Sequence, residues 1–342
     1  MSVLAERGKD MSGALTGTID FLGHTAYRLE NEFLELIVVP ALGSRAVSLR
    51  SKLAQTDLLR VPPSLAAYEK NPMLFGIPVL FPPNRIEDGT FTFGGESYQF
   101  AVNEPKHHNH LHGLVHREAW QMTGVREHAG GICLETVFDS SDKPHVLEQF
   151  PHPFRIVMRF ILDGHSFVQE ADIINDSGTA IPWGLGYHTS FRFPFGEQSN
   201  PESCLFSAPA GQLWELNDRV MPTGRLLDDP RSASLQAGMP MADVAFDDVF
   251  LAADHVTNEA VLTDRAAGIS VTYSADESFR QWVLHTGAAG SGYICPEPYT
   301  CVTNAFNLPL DRKLTGLQVL EPGEQRTVSC AIKVEVAAPV SG

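Results

Sequence analysis

The sequence predicts an all-β protein folded as a large antiparallel β-sandwich. Apolar residues recur with period two in several stretches, which is the mark of strands with one buried face. No segment keeps an amphipathic helical period over a useful length. The chain of 342 residues also carries 28 glycines and 23 prolines, which divide it into short pieces as strand-and-turn folds require.

The elements are justified in chain order. Leu34 to Val39 is an apolar run of strand length. Pro63 to Lys70 is the best helical candidate, short, with Ser64 as its N-cap. Phe91-Thr92-Phe93 and Glu96-Ser97-Tyr98 flank Gly94-Gly95, a two-residue hairpin loop that sets Phe91 opposite Tyr98. Phe154, Ile156, Met158, Phe160 and Leu162 alternate with Arg155, Val157, Arg159 and Ile161, giving one fully apolar face. Asp163-Gly164 reads as the turn into a second alternation, Phe167, Gln169, Ala171 and Ile173. Ile269 to Tyr273 and Val328 to Val336 read as further strands. Without a linker, repeat or low-complexity tract, the expected organisation is a flexible segment at 1–18 followed by a single domain at 19–342.

Composition excludes several functions. Asp and Glu number 41 against 25 Lys and Arg, a formal net charge of −16. Such a chain repels phosphate backbones and anionic lipid, so neither nucleic acid nor membrane is an expected partner. No apolar run approaches the length of a membrane helix, and Met1 to Thr18 lacks the apolar core of a signal peptide. Five widely spaced cysteines, Cys133, Cys204, Cys295, Cys301 and Cys330, argue against a disulfide framework and for a reducing cytoplasm. No glycine-rich phosphate loop joins a strand to a helix.

Six groups of residues are candidates for chemistry. The tract from His107 to His116 places His110 and His112 two apart, on one side if the backbone is a strand, with Glu104 and Glu118 as local carboxylates. A metal pair and a ligand-binding histidine among exposed ones are both open there, and the second is expected. Asn84-Arg85 follows Pro78 to Pro83, a stiff extended approach that holds a guanidinium fork in place for adjacent hydroxyls. His188 lies between aromatics and beside Gly184 and Gly186, where a ligand or a packed backbone could approach. Glu297 sits between Pro296 and Pro298, and apolar surroundings there would raise its pKa toward that of a useful base. Asp247 and Asp248 interrupt an apolar stretch, so either one points at a ligand, an arginine or a metal, or both sit solvated in a turn. Gln281-Trp282 could face a sugar or pack in the core.

Taken in order, Gly43-Ser44-Arg45-Ala46, Pro78 to Ile86, Leu111-His112-Gly113, Gly186 to Phe191, Asp247 to Phe250 and Glu297-Pro298 resemble the aldose 1-epimerases, the galactose mutarotase family, from about Leu34 to Val334. The resemblance implies that family's large antiparallel supersandwich. It also implies Glu297 as general base, His188 as general acid, and Arg85, His112, Asp247, Asn84 and Gln281 as sugar-binding residues. Many members place Asn before the acid histidine, whereas this chain has Tyr187.

The implied activity is interconversion of the α and β anomers of a free aldose, an aldohexose, by a monomer or homodimer with no metal or other cofactor. Two alternatives share the fold: a hexose-6-phosphate 1-epimerase, for which Arg45, Arg50, Arg60 and Arg85 would have to converge, and a non-catalytic sugar-binding protein.

Overall fold

The computed structural model describes residues 13–128, 131–242, 245–288 and 290–337. About half of the chain is strand and a tenth is helix. Three antiparallel sheets dominate. A five-stranded meander runs Gly13–Phe21, His24–Asn31, Leu34–Val39, Arg45–Ser51 and Thr56–Asp57. A nine-stranded sheet has at its centre Phe154–Asp163, Ser166–Asn175, Gln325–Val336 and Ile269–Ala275, side by side in that order. An eight-stranded sheet holds, in spatial order, Pro222–Leu227, Ala210–Leu216, Asp247–Ala252, Gln281–His285, Tyr293–Tyr299, Gly186–Tyr187 and Val79–Leu80, with Phe191–Arg192 also paired to Tyr293–Tyr299. This is the antiparallel β-sandwich expected.

The alternating pattern becomes the core. Phe154, Ile156, Met158, Phe160 and Leu162 are all buried, while Arg155 and Arg159 face outward to acids. Burying each such apolar side chain stabilises the fold by about 1.5–3 kcal/mol. They meet Phe250, Trp282, Leu284 and Tyr187 of the eight-stranded sheet in one continuous hydrophobic cluster. The opposite face of that sheet carries a second cluster, Leu80, Trp214, Val249, Val283 and Tyr299.

Local expectations are met closely. The short helix is Leu65–Lys70, and Ser64 Oγ accepts from Ala67 N at 3.2 Å. The hairpin pairs Phe91 with Tyr98, their rings stacked 4.6 Å apart. The turn after Leu162 shifts by one residue. Asp163 pairs with Ser166, so Gly164-His165 form the loop, with Gly164 at φ 53°. Of the segment expected to be flexible, residues 1–12 lie outside the described residues. Gly13–Phe21 forms a strand whose backbone pairs with His24–Asn31. All five cysteines are free and buried. Among the described residues no helix is long and apolar enough to cross a membrane.

Candidate active site

The site arises from an interruption in the eight-stranded sheet. Along Tyr293–Tyr299, register sets Val283 opposite Glu297 and His285 opposite Cys295; on the next strand Asp247 lies opposite His285. Directly opposed residues share a face. Asp247, His285, Cys295, Glu297 and Tyr299 therefore all project from one side, and Trp282, Pro296, Pro298 and Asp248 from the other.

On its second edge, the Tyr293–Tyr299 strand pairs with Phe191 and Arg192 at one end and with Gly186 at the other. Thr300 N donates to Leu185 O across that edge, so the even-numbered backbone nitrogens point there. Pro296 and Pro298 have no N–H to offer, and the neighbouring strand is broken alongside them. His188 to Ser190 occupy the break, with His188 N donating to Pro78 O at 3.3 Å. The two prolines thus make a gap in the ladder, and His188 fills it.

His188 Nε2 lies 3.2 Å from Glu297 Oε1. Both side chains are almost wholly buried. The second carboxyl oxygen, Oε2, accepts a short hydrogen bond from Tyr299 Oη. Gly186 makes room for this, because a Cβ there would stand 2.2 Å from Tyr299 Cδ1. Burial pushes the Glu297 carboxyl well above the usual carboxylate range, the negative Asp247 adds to the rise, and the Tyr299 bond opposes it. Burial and the neighbouring His285 lower His188 to about 3. Both shifts favour the uncharged forms, carboxylic acid and neutral imidazole.

His112 closes one flank, its ring 5.6 Å from that of His188 and edge-on to it. It does not share a side with His110. The strand Asn109–Leu111 ends before it, and His112 and Gly113 take φ 67° and 72°. Gly113 is required there, since a Cβ would sit 2.2 Å from Phe81 O. His110 instead turns inward, its Nδ1 2.7 Å from Ala101 O. The carboxylates near the tract are engaged elsewhere: Glu118 meets His145, and Glu104 clamps Arg85.

That clamp alters the expectation for Arg85. Its Nε and Nη2 edge grips Glu104 through contacts of 2.8–3.1 Å, leaving Nη1, which donates to Asn84 Oδ1 at 3.2 Å. Asn84 is buried at φ 57°, and its carbonyl accepts from His112 N at 2.7 Å, so Asn84, Arg85 and His112 form one unit. Arg85 lies near enough for its charge to act on both Glu297 and Asp247.

The two aspartates divide. Asp248 turns away to Arg231, with contacts of 2.9 Å, while Asp247 is exposed on the site face, 3.6 Å from His285 Nδ1. Hydrogen bonding with His285 holds the Asp247 carboxyl below its usual value against the opposing effect of burial. Gln281 departs from expectation. It is buried, accepting from Trp214 Nε1 at 2.8 Å and donating to Leu314 O at 2.9 Å, so its amide supports the floor. Trp282 packs in the core and bonds Asn258. Tyr187 also faces the core, its hydroxyl on Met158 Sδ, so the residue that departs from the family pattern does not line the site.

Three site residues escaped sequence reasoning. Tyr299 and His285 were detectable as same-face neighbours of Glu297 and Asp247 once strand register was known. Cys295, with Ser190 Oγ 3.2 Å from its sulfur, was visible two residues before Glu297. The donor atoms of His188, Cys295 and Glu297 lie within 4.8 Å of one another, close enough to share a metal ion. Burial, and then the neighbouring Glu297, hold the Cys295 thiol far above its ordinary pKa. This makes the thiolate that a metal takes up costly to form.

A buried carboxyl and imidazole thus lie in contact on one face of an antiparallel sheet. An aldose 1-epimerase family profile matches residues 25–333, and the chain belongs to that family. The galactose mutarotase-like protein of Clostridium acetobutylicum is similar in structure, with a TM-score of 0.90 and 25% identity, covering 96% of this chain and 100% of that one. Galactose 1-epimerase of Lactobacillus acidophilus NCFM shares the fold at a TM-score of 0.72 and 14% identity, over 96% of this chain and 100% of that one. Among curated sequences, the Escherichia coli K12 protein YihR is 25% identical over 250 residues, 72% of this chain and 75% of its own length.

Proposed function

We propose that the protein is an aldose 1-epimerase interconverting α and β anomers, with Glu297 as base and His188 as acid. The observation that carries this reading is their 3.2 Å contact in a buried setting. Opening a cyclic hemiacetal needs the O1 proton removed and the ring oxygen O5 protonated as the C1–O5 bond breaks. Glu297 as carboxylate takes the first proton, and His188 as imidazolium gives the second. The resulting aldehyde rotates about C1–C2 and recloses on its other face with the transfers reversed, so the pair regains its starting state. No proton is lost to water, and no electron pair leaves the substrate.

The resting tautomer carries the proton on Glu297. The working tautomer has it on His188, one transfer away across the same contact. The Tyr299 hydroxyl stabilises the carboxylate in that form. His112 and the Nη1 edge of Arg85 are the donors available to the sugar oxygens, and the exposed Asp247 is the acceptor for its hydroxyls. The chemistry touches only C1, O1 and O5 and requires no other group, so neutral aldoses are the simplest substrates.

The test is polarimetry, or NMR exchange of the anomeric protons, on a panel of aldoses, run with and without exhaustive chelation. Acceleration that survives chelation is expected. Loss on chelation would assign His188, Cys295 and Glu297 to a metal. Tight binding with only the buffer rate would make the protein a sugar binder.

Arg85→Lys is expected to raise KM with kcat nearly kept. A lysine cannot hold Glu104 through two parallel bonds and also present a fixed donor. Hydrogen bonds to charged groups are worth about 1.5–3 kcal/mol, so an increase of roughly 10- to 100-fold is expected in steady-state kinetics.

A further inference from the structure

His285 stands on the site face and takes no part in the proton transfer. Strand register shows which of its neighbours are already engaged. The rung through Glu297 is otherwise apolar, Val283 and then Val249. On the rung through Tyr299, the tyrosine hydroxyl is given to Glu297 and the Gln281 amide to Trp214 and Leu314. The rung on the other side of Glu297 holds Asp247, His285 and Cys295, one on each of three paired strands. Burial, and then the neighbouring Glu297, keep the Cys295 thiol neutral. Asp247 and His285 are the polar groups of this sheet face left for a ligand.

Both are open to one. The Asp247 and His285 side chains are 80% and 31% exposed, against 2% for Glu297. Asp247 Oδ1 lies 3.6 Å from His285 Nδ1, a long contact that sets which ring nitrogen faces the acid. A neutral imidazole in that position carries its proton on Nδ1 and offers Nε2 as an acceptor. Among the described residues nothing else bonds to Asp247, and no hydrogen bond engages His285 Nε2. The imidazole is held between two other rings, its centre 6.1 Å from that of His188 and 6.2 Å from that of Tyr293.

Their place decides which part of a sugar they meet. Val283 lies opposite Glu297, and His285 follows it by two residues on the same face. Diagonal neighbours of that kind are roughly 7–8 Å apart. Asp247 lies one strand further, roughly 4.8 Å on. This is the span of a pyranose from its anomeric oxygen to the hydroxyls across the ring. With C1 held at Glu297 for proton transfer, the hydroxyls at C3 and C4 arrive over the rung of His285. The two ends of the site then differ in kind. His112, beside His188, is a donor near C1, whereas Asp247 and His285 Nε2 are two acceptors side by side. Two adjacent hydroxyls bring two donors to match them.

We propose that His285 is a specificity-determining residue: its Nε2 and the Asp247 carboxylate accept from the adjacent hydroxyls at C3 and C4, so the substrate is an aldose with a free diol across the ring from C1. This rests on the anomer-interconversion reading. A histidine does here what a second carboxylate would not. Two carboxylates side by side repel, and one of them takes up a proton and ceases to accept with both oxygens. A neutral imidazole adds an acceptor without adding charge to a chain already at −16.

The test compares kcat/KM for glucose, galactose and the 2-, 3- and 4-deoxy derivatives of glucose, in the wild type and in His285→Phe and His285→Gln. The 4-deoxy sugar is common to both C4 epimers. In the wild type the better epimer should exceed it by about 10- to 100-fold, the worth of a hydrogen bond to a charged group. Glucose should exceed 3-deoxyglucose in the same way, and 2-deoxyglucose by less. In His285→Phe one of the two large deficits should shrink by roughly 2- to 10-fold, the worth of a neutral hydrogen bond, which assigns that hydroxyl to Nε2. His285→Gln, which returns an acceptor near Nε2, should restore part of it. A purely structural role would lower all five sugars together and keep their ratios. That parallel fall, or a wild type that uses the 3- and 4-deoxy sugars as well as their parents, overturns the proposal while leaving the mutarotase reading intact. Should His285→Phe not fold, His285→Ala takes its place in the comparison. If no sugar is turned over, the mutarotase reading fails instead. Calorimetric titration of the same sugars into the wild type and His285→Phe then reads the same ratios as affinities, and unchanged ratios reject the contact.

Discussion

Glu297→Gln is expected to lower kcat by roughly 10²–10⁴, the usual contribution of a general acid or base. The substitution is nearly isosteric and keeps an oxygen to accept from Tyr299, so the packing around a buried side chain should survive. What disappears is the site that takes the O1 proton. Sugar affinity should change far less, since His112, Arg85 and Asp247 are untouched. Stopped-flow polarimetry over a range of sugar concentrations separates the two effects. A kcat close to the wild type would show that another group is the base, and the exposed Asp247 would be examined next.

His188→Asn should cost a similar factor. Without the imidazole, O5 must leave C1 as an unprotonated alkoxide. The pH profile gives a second readout. Only the singly protonated pair is active, so kcat/KM should be bell-shaped, with limbs belonging to the pair as a unit. With His188 lowered to about 3, the acid limb, where a second proton is added, should lie below the usual histidine value. The basic limb, where the last proton is lost, should lie above the usual carboxylate range, because burial raises Glu297. Stability follows the same sign. A raised carboxyl pKa favours the fold fully below its unfolded value of about 4.3, and this contribution is lost as pH rises through the folded value. The double variant should be little slower than either single one, since each removes half of one transfer. Additive losses would mean that the two residues act in separate steps.

Much of this site was legible in the sequence because its parts are local. A carboxylate between prolines, an arginine after a stiff proline run and a histidine beside glycines each announce themselves within a few residues. Strand alternation did the same for the core, since Phe154 to Leu162 need only their own period to declare a buried face. What stayed hidden depends on register. Nothing near Gln281 in the chain reveals that Trp214 and Leu314 consume its amide. The clamp of Glu104 on Arg85 and the place of His285 beside Asp247 need the ladder to be assembled first. His110 and His112 were expected on one side because a two-residue spacing presumes a continuing strand, and the positive φ at His112 ends it.

The break in the ladder beside Pro296 and Pro298 bears on how such a protein can diversify. Glu297 is placed by its pairing opposite Val283, and His188 by its N–H to Pro78 O in the break alongside, so the spacing of the two is set by the backbone of the sheet. Conversely, giving either proline position an amide hydrogen would offer the strand a partner across the gap. The slot holding His188 would be open to closure by the sheet itself, and selection on these two positions would act through backbone geometry, both rings projecting from the face opposite Glu297.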